Sequence, residues 1–407
     1  MTTSLPRAPR NPAPEPERRP GRAPAAVVAV RKIFAAETGN YFLLLGATLF
    51  LVVFGLVMVL SSSSVESFKA SDDFFSGFAR QGLFAVLGVP LMLIAARLPS
   101  VFWKKWAGVA MIIAIALQLL VFVPHIGVEQ GGNRNWIDLG FFNAQPSEVI
   151  KVALVLWLAL VLSKKRDLLD DWHELAVPIV PVTGVAVGLV LLGGDLGTVI
   201  ILASIVFGAV FFAGVKLRYL AVPIVAAGIA GLMFAFGTSS RQDRWQAFFS
   251  GCGSSDDYSG SCWQTVHGWW ALASGGIFGV GLGNSKAKWS WLPEADNDFI
   301  FAIIGEELGL LGAIVVLLLF IVIAISFVRI IRANPDPFAK LVVSSVMVWI
   351  IGQAFVNIAV VLGVLPVLGV PLPLISAGGS ALVTTLFAIG IVLSFARHPS
   401  DELGRQR

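Results

Sequence analysis

The chain has 407 residues, of which 57% are hydrophobic and only 13% are charged, and its formal net charge at pH 7 is +4. The charged residues fall between apolar runs of membrane-spanning length, which excludes an ordinary soluble domain and indicates an all-α polytopic membrane protein. The small positive charge is explained by the loops of such a protein, so no nucleic-acid partner is expected.

Residues 1–36 are rich in Pro, Arg and Ala, have no hydrophobic stretch before Ala25 and lack a signal-peptide pattern. We predict a disordered cytoplasmic arm here. A solvated basic tail is the simplest interpretation, and binding to anionic lipid or to a cytoplasmic partner is the alternative. Residues 37–397 are expected to form one transmembrane domain, followed by a short cytoplasmic tail at 398–407.

Apolar runs of roughly 17 to 25 residues predict ten transmembrane helices, centred near residues 51, 90, 113, 154, 184, 206, 228, 312, 352 and 387. Ten spans place both termini on one side of the membrane. Of the 29 Lys and Arg residues, 21 lie in the two tails and in the loops after spans 2, 4, 6 and 8. The positive-inside rule therefore makes both termini cytoplasmic and the long loop between spans 7 and 8, residues 238–297, extracytoplasmic.

The long loop contains both cysteines of the chain, Cys252 and Cys262, and faces the oxidising side. We predict a disulfide that stabilises the loop, with two free thiols as the alternative. His267 is expected to be an interfacial polar residue rather than a ligand. An interfacial helix anchored by indoles is the simplest interpretation of the tryptophans in this loop, and a sugar-stacking surface is the alternative. These tryptophans are Trp263, Trp269, Trp270, Trp289 and Trp291.

Four outer loops bring Arg, Lys, Asp and glycine-rich backbone to the same face of the membrane. Such a set suits an amphiphilic substrate with an anionic headgroup, such as a lipid-linked diphosphate, because Arg and Lys pair with phosphate oxygens and glycine-rich backbone presents amides. Merely solvated basic loops are the alternative. The candidate substrate-binding residues in these loops are Arg134, Gln145, Arg244, Lys286, Glu294, Ser376, Gly378, Gly379 and Ser380.

Glu148 and Lys151 lie three residues apart on span 4 and therefore share one side of the helix. An internal salt bridge is the simplest interpretation, because an unpaired charge near the membrane core is costly. Contact with a substrate sugar is the alternative. The four His and two Cys residues show no metal-ligand spacing.

The stretch Leu292–Gly309 runs from an acidic loop into the eighth span. If Pro293 begins the helix, Glu294 and Asp298 lie one turn apart at its mouth. Because carboxylates in membrane segments are commonly functional, catalysis at this mouth is our first hypothesis. A helix-start acid stabilised by the helix dipole is the alternative for Asp298.

Two further carboxylates, Glu306 and Glu307, follow in the same span, with Glu306 about 12 Å deeper than the mouth. We expect both to fix helix packing by pairing with Lys151 or another buried donor, and direct catalysis is the alternative. Asp195, between spans 5 and 6, is also expected to be structural.

Taken in order, these motifs resemble the SEDS family (shape, elongation, division and sporulation) over nearly all of residues 40–397. The resemblance implies an integral-membrane peptidoglycan glycosyltransferase, more similar to the FtsW-type division members than to the RodA-type elongation members. It depends on Gly132-Asn-Arg-Asn-Trp-Ile, Gln145-Pro-Ser-Glu148, Asp195-Leu-Gly-Thr198, Lys286 with Leu292-Pro-Glu294, Asp298-Phe-Ile-Phe-Ala, Gly305-Glu-Glu-Leu-Gly309, Asn357 and Pro366 through Ser380.

The resemblance assigns the essential acid of the family to Asp298. Asn297 stands where the family usually has threonine, and Asp296 is an additional nearby carboxylate. Gly193 and Gly194 replace a common Gln-Pro pair. Ala377 and Ala381 replace Tyr and Ser, and all these departures are expected to change loop packing without removing a catalytic group.

The reaction implied by the resemblance joins lipid II units into β-1,4 glycan strands, with Asp298 as general base and with Arg134, Arg244 and Lys286 against the leaving diphosphate. A divalent cation, Mg²⁺ or Mn²⁺, held by Asp298 or Glu294, is left open as a cofactor. The expected setting is the septal cytoplasmic membrane of a bacterium, with a class B penicillin-binding transpeptidase and other divisome proteins as partners. A lipid II flippase and a non-catalytic divisome scaffold are the alternative functions.

Overall fold

The computed structural model describes residues 38–130, 133–140, 142–216, 218–219, 228, 242, 245, 248–249, 251–252, 262–289 and 291–397. The predicted arm at 1–36, the tail at 398–407, Arg244 and most of the predicted seventh span lie outside the described residues.

Within the described residues, long apolar helices dominate the fold. Eight of them are long and apolar enough to cross a membrane, and a ninth, Gly379–Phe395, is shorter at 17 residues. These nine coincide with nine of the ten predicted spans, which confirms the all-α polytopic fold class. The helices are α1 Gly39–Ser71, α2 Ser76–Ala95, α3 Ser100–Leu120, α4 Pro146–Lys164, α5 Trp172–Leu192, α6 Leu196–Ala213, α7 Trp263–Gly275, α8 Ile300–Ala333, α9 Pro337–Val361 and α10 Gly379–Phe395.

The loop after α3 contains a small antiparallel sheet, which the sequence analysis did not predict. Its strands are β1 Gly127–Gln130, β2 Asn133–Asp138 and β3 Asn143–Ala144, in that spatial order. The N–H of Arg134 on β2 donates to the carbonyl of Gly193 across 2.8 Å. The sheet is therefore tied to the end of α5.

α4 and α9 are the innermost helices of the bundle. In their apolar 18-residue segments 72% and 67% of the residues are buried, compared with 22% in α3. α4 packs against α3, α6 and α9, α10 packs against α2, and α8 packs against α1 and α7. Polar side chains on α4 and α9 consequently lie inside the bundle.

α8 is 34 residues long and is interrupted at Gly309, whose φ of 68° and ψ of −166° are not helical. At about 1.5 Å per residue its length exceeds the ~30 Å of a bilayer core. The break divides it into a short segment, residues 300–308, and a longer apolar segment, residues 310–333.

The loop after α7 satisfies the backbone groups that this break releases. The N–H groups of residues 280 and 281 each donate across 3.0 Å to the carbonyls of Glu306 and Glu307. In return, the N–H groups of residues 310 and 311 donate to the carbonyls of residues 276 and 277. A break in a membrane helix is tolerated because neighbouring groups replace the lost hydrogen bonds in this way.

The prediction that Pro293 begins the eighth span is wrong, because α8 begins at Ile300. Glu294 has a φ of 54°, in the left-handed region that a continuing right-handed helix excludes. Its carbonyl accepts a hydrogen bond of 3.0 Å from the N–H of Phe299. Glu294 and Asp298 therefore lie in a turn before the helix and not one helical turn apart.

Candidate active site

Three carboxylates alternate with buried apolar residues in the acidic segment, residues 292–299. Leu292, Ala295 and Phe299 are buried, whereas Glu294 is exposed and Asp296 and Asp298 are partly accessible. The apolar side chains therefore anchor the segment to the bundle.

Asp298 is positioned through its main chain by α9. The side-chain Nδ2 of Asn357 donates to the carbonyl of Asp298 across 2.7 Å and to the carbonyl of Val370 across 2.8 Å. The carboxylate Oδ2 of Asp298 lies beside Gly369, 3.6 Å from the position that a Cβ would occupy there. Gly369 has a φ of +69°, so a residue with a side chain would be strained at this place.

The acidic segment and the irregular segment, residues 362–378, form one hydrogen-bonded unit. The hydroxyl of Ser376 donates to the carbonyl of Asn297 across 2.7 Å and accepts from the N–H of Leu372 across 2.8 Å. The N–H of Ala377 donates to the carbonyl of Asp296 across 2.8 Å. Because Ser376 is buried and engaged twice, its contacts position the acidic segment.

Asp296 is a second acid of the segment with an unusual environment. Its pKa is raised from 3.8 to about 6, mainly by burial and further by the nearby carboxylates Glu66 and Glu294, while Arg80 opposes these effects. The carboxyl group of Asp296 therefore binds a proton more readily than that of an ordinary aspartate.

Two buried glutamines fasten the irregular segment to the bundle. Gln353 Nε2 donates to the carbonyl of Pro371 across 2.9 Å, and Gln81 Nε2 donates to the carbonyl of Ser376 across 3.0 Å. Gln81 Oε1 also accepts from the N–H of Gly378 across 3.2 Å. The backbone N–H of Gly378 was predicted to bind substrate phosphate. Because it already donates to Gln81, a phosphate would have to compete with this hydrogen bond.

Glu148 and Lys151 form a salt bridge of 2.8 Å, and each side chain is only 3% exposed. Lys151 Nζ also donates to Gln353 Oε1 across 3.3 Å, while Glu148 accepts from the hydroxyl of Thr384 across 3.1 Å. Through Gln353 the pair is connected to the irregular segment. Glu148 and Lys151 thus form the internal salt bridge that their spacing of three residues predicted.

Gln145 joins three of the predicted residues in one cluster. Its side-chain Nε2 donates to Asp195 Oδ2 across 2.8 Å, and its N–H approaches Ser380 Oγ at 3.4 Å. Asp195 caps α6 by accepting from the N–H and the hydroxyl of Thr198. Burial raises the pKa of Asp195, and the Thr198 hydrogen bonds oppose that effect. Gly379, which begins α10, lies against the ring of Phe84.

Glu306 holds the backbone of the loop before the acidic segment. Its carboxylate accepts from the hydroxyl of Ser285 and from the N–H of Lys286, the latter across 2.9 Å. The side chain of Lys286 is exposed, so its ammonium is accessible to an anionic ligand. Arg134 is partly buried on β2.

Glu307 is fully buried and makes contact with a cation that the sequence analysis did not place in the site. Lys288 Nζ lies 3.3 Å from Glu307 Oε1, and the hydroxyl of Ser61 on α1 donates to the same carboxylate across 2.6 Å. The buried donor expected for this acid is therefore Lys288, because Lys151 pairs with Glu148.

Cys252 and Cys262 form a disulfide next to α7. Cys262 is the N-cap residue of that helix, and both cysteines pack with Val266. α7 also reaches the acidic segment, since Gln264 Nε2 donates to the carbonyl of Pro293 across 3.2 Å. α7 therefore connects the disulfide to the acidic segment.

Aromatic rings of α7 cluster with Trp291 from the loop that follows this helix. The ring centroids of Trp263 and His267 are 3.9 Å apart, and Trp291 stacks with them at 6.1 and 5.8 Å. His267 is buried, with its Nδ1 2.8 Å from the carbonyl of Trp263. Trp289 and Trp291 are 61% and 55% exposed, so membrane anchoring and sugar stacking both stay predictions for them.

Among the described residues no group of three or more His, Cys, Asp or Glu side chains is placed to hold a metal ion. Mg²⁺ is commonly held by one or two carboxylates together with substrate phosphates. Asp298 and Glu294 are the ligands predicted for such an ion, and the divalent cation stays a prediction.

Several polar groups that position the site were not identified from the sequence as site residues. They are Ser61, Gln81, Lys288 and Gln353, and Asn357 entered only as part of a motif. For Gln353 and Asn357 the available signal was an isolated polar residue in an apolar helix, repeated at four-residue spacing.

Residues 42–401 match the FtsW/RodA/SpoVE family, described as cell cycle protein. Over 368 residues the chain is 37% identical to the probable peptidoglycan glycosyltransferase FtsW of Mycobacterium tuberculosis, an alignment that covers 90% of this chain and 70% of that protein. Over 363 residues it is 35% identical to stage V sporulation protein E of Bacillus subtilis, covering 89% and 98% of the two chains.

The fold is also similar to solved structures. A chain of a structure described as "Structural coordination of polymerization and crosslinking by a peptidoglycan synthase complex" aligns with a TM-score of 0.70 and 26% identity, covering 87% of this chain and 96% of that one. The rod shape determining protein RodA of Thermus thermophilus aligns with a TM-score of 0.66 and 26% identity, covering 89% and 98%.

Proposed function

We propose that this chain, which belongs to the FtsW/RodA/SpoVE family of cell cycle proteins, polymerises lipid II into β-1,4 glycan strands. Its relatives in that family are described as peptidoglycan glycosyltransferases, and the chain is an enzyme of this class. The observation that supports this reaction best is the fixation of Asp298. Its backbone is held by Asn357, and its neighbours are held by the irregular segment. A carboxylate on a rigidly held backbone is what a general base requires.

In the proposed reaction the 4-hydroxyl of an acceptor GlcNAc attacks the anomeric carbon of a donor MurNAc. Asp298 takes the hydroxyl proton, the bond from carbon to the diphosphate oxygen breaks, and undecaprenyl diphosphate leaves. Direct displacement inverts the α-linked donor to a β-linkage. One carboxylate suffices because a diphosphate leaves without protonation, unlike the sugar alcohol released by an inverting glycosidase.

Charge that develops on the leaving diphosphate needs preorganised cations. The exposed ammonium of Lys286 and the guanidinium of Arg134 are the described candidates, and Arg244 is a candidate outside the described residues. A divalent cation bound to carboxylate and diphosphate oxygens would supply the same stabilisation.

We infer that the acidic segment lies on the extracytoplasmic side. Asp298 contacts Asn357, near the last turn of α9. The other end of the bundle carries a concentration of cations, including Lys104, Lys164 and Arg332 at the ends of α3, α4 and α8. Positive residues favour the cytoplasmic surface, so the opposite end with Asp298 faces outward, where lipid II is polymerised.

A division role is the finer part of the proposal. The relatives described as FtsW support it, whereas an elongation role is the alternative that their similarity to RodA leaves in place. The structural neighbour that combines polymerisation with crosslinking supports a class B penicillin-binding transpeptidase as partner. Other divisome proteins and a septal location are part of the same proposal.

The flippase alternative requires buried acids that line a path across the membrane. The four candidates for that path are engaged in internal contacts: Glu148 with Lys151, Glu307 with Lys288 and Ser61, and Glu306 with the loop amides. These contacts favour the polymerase. A scaffold without catalytic activity would have no use for a backbone-fixed Asp298.

The proposal is tested by incubating the purified chain with labelled lipid II, alone and with its cognate transpeptidase, and separating the products by length. We expect glycan polymer that a muramidase digests. An arm with EDTA followed by Mg²⁺ or Mn²⁺ determines whether a cation is required. Absence of polymer with and without the partner, from protein that remains folded, would refute the polymerase, and lipid II transfer in proteoliposomes would then test the flippase.

A further inference from the structure

A pocket of about 410 Å³ opens between the first turns of α3 and α9 and the last turn of α4. Three lysines lie on its wall, namely Lys104, Lys105 and Lys164, together with the acid Asp336 and the ring of Phe338. The pocket is remote from the candidate active site and has no part in the mechanism above.

The position of the pocket follows from the length of α9. This helix has Asp336 and Pro337 at one end and Asn357, which contacts Asp298, near the other. Twenty residues at 1.5 Å per residue separate the two ends by about 30 Å, the thickness of a bilayer core. The pocket therefore lies at the membrane surface opposite Asp298.

The one acid on the wall is already neutralised. Asp336 forms an ion pair of 2.7 Å with Lys104, accepts from the hydroxyl of Ser100 across 3.0 Å, and caps α9 by accepting from the N–H of Phe338 across 3.1 Å. Within the part of the chain that the structure describes, no ion pair involves Lys105 or Lys164. Two positive charges of the pocket are thus available to a ligand.

The start of α3 adds to this positive potential. α3 begins at Ser100, and its N-cap residue Pro99 makes no side-chain capping hydrogen bond. The N-terminal end of a helix carries partial positive charge and attracts anions, phosphate groups among them. The helix end and the two lysines act in the same direction.

The surface next to the pocket is apolar and faces outward from the bundle. Val101, Lys105, Val109 and Ile112 follow one another on one face of α3, and the three apolar side chains are 65%, 41% and 70% exposed. Such a face continues from the pocket into the hydrocarbon layer. A soluble phosphate would make no use of it, whereas the acyl chains of a lipid would cover it.

We propose that this pocket binds the phosphate headgroup of an anionic phospholipid from the leaflet opposite Asp298. Lys105 and Lys164 pair with the phosphate, Lys104 is kept in place by Asp336, and the acyl chains lie along the outer face of α3. Basic pockets between transmembrane helices on the cytoplasmic side are typical sites for acidic lipid headgroups.

The test uses the full chain in neutral detergent, titrated with phosphatidylglycerol or phosphatidylcholine and observed by native mass spectrometry. We expect one phosphatidylglycerol to bind in preference to phosphatidylcholine. The double variant Lys105→Gln/Lys164→Gln should lower that affinity roughly 30-fold, because each lysine near a membrane surface contributes about 1 kcal/mol. Lys105→Arg/Lys164→Arg should retain it.

The matched control is Arg329→Gln/Lys340→Gln, which removes the same charge from exposed positions at the same end of the bundle but outside the pocket wall. It should change the affinity less than twofold. Equal losses in the two double variants would overturn the proposal, as would soluble glycerol 3-phosphate displacing the lipid at equal concentration. All four mutated residues are exposed, so the unfolding midpoint without lipid should be unchanged.

Discussion

The side-chain amide of Asn357 joins two main-chain carbonyls, those of Asp298 and Val370, across 2.7 and 2.8 Å. Asn357 is 1% exposed. One buried nitrogen therefore holds the acidic segment against the irregular segment, and the geometry of the candidate base depends on it.

Replacing Asn357 with alanine should leave these carbonyls without their donor. We expect a loss of about 1 to 3 kcal/mol in the free energy of unfolding, and a fall in the rate of glycan polymerisation of more than about tenfold because the base is displaced. Asn334→Ala is the matched control, since Asn334 Nδ2 donates to the carbonyl of Phe395 at the other end of the bundle. Equal effects of both variants on the rate would contradict a positioning role for Asn357.

Asp298→Asn tests the assignment of the base directly. The amide keeps the shape of the side chain but takes no proton, so polymerisation should fall about 100-fold or more. Asp296→Asn should keep most of the activity, because the resemblance and the Asn357 contact both single out Asp298. Initial rates with labelled lipid II measure this, and near-native turnover by Asp298→Asn would exclude it as the base.

Asp296 should make the stability of the protein depend on pH. Its pKa is 3.8 when unfolded and about 6 when folded, so between these values the folded state binds more protons. The free energy of unfolding therefore falls as pH rises through this window, and the penalty is complete above pH 6.

Asp296→Asn removes that penalty. Its unfolding midpoint should exceed that of the native chain at pH 7.5 by more than it does at pH 4.5. Asp167→Asn, which removes one exposed carboxylate, provides the comparison for a change of charge alone. A constant difference across the pH range would show that the carboxyl of Asp296 is not perturbed.

The buried pair of Glu148 and Lys151 is suited to a double-mutant cycle. Lys151→Met should cost about 3 to 5 kcal/mol, because it leaves a buried carboxylate without its cation. Lys151→Met combined with Glu148→Gln should recover much of that loss. If the pair is only structural, the stable double variant should polymerise lipid II at close to the native rate, and an inactive but stable double variant would indicate substrate contact.

The disulfide should stabilise the region around α7. Closing a loop of about ten residues is worth roughly 2 to 3 kcal/mol in the unfolded-state entropy model. The double variant Cys252→Ser/Cys262→Ser should therefore have a lower unfolding midpoint than the native chain. Chemical reduction of the native chain should lower the midpoint as much as the double substitution does. A further loss on reducing the double serine variant would point to an effect of the reductant alone.

Hydropathy and charge distribution alone predicted nine helices that the structure describes, because the bilayer demands long apolar segments whatever their partners. The small sheet was missed, although Gly131 and Gly132 separate two short segments in the pattern of a two-residue hairpin. The start of α8 was misplaced because Pro293 is a common first residue of helices, whereas the left-handed backbone of Glu294 prevents a helix from continuing there.

The polar contacts were harder to predict than the helices. Glu148 and Lys151 are neighbours on one helix, so their spacing was sufficient. Lys288 and Glu307, or Gln81 and Ser376, each join a loop residue to a helix residue, and they meet only after the loop has folded against that helix, which hydrophobic composition does not determine. Asn357 stood in a recognisable motif, but its contact with the backbone of Asp298 needed the tertiary structure.

The interruption at Gly309 has a consequence for biogenesis. Residues 310–328 alone provide 19 uncharged residues, of which only Ser326 is polar, enough for the translocon to insert them as a complete span. The preceding residues 300–308, with their two carboxylates, are then the part of α8 that packs against α7 and contacts Ser285 and Lys288. We therefore expect insertion of α8 into the membrane and folding of the acidic segment to be separable steps in the synthesis of the chain.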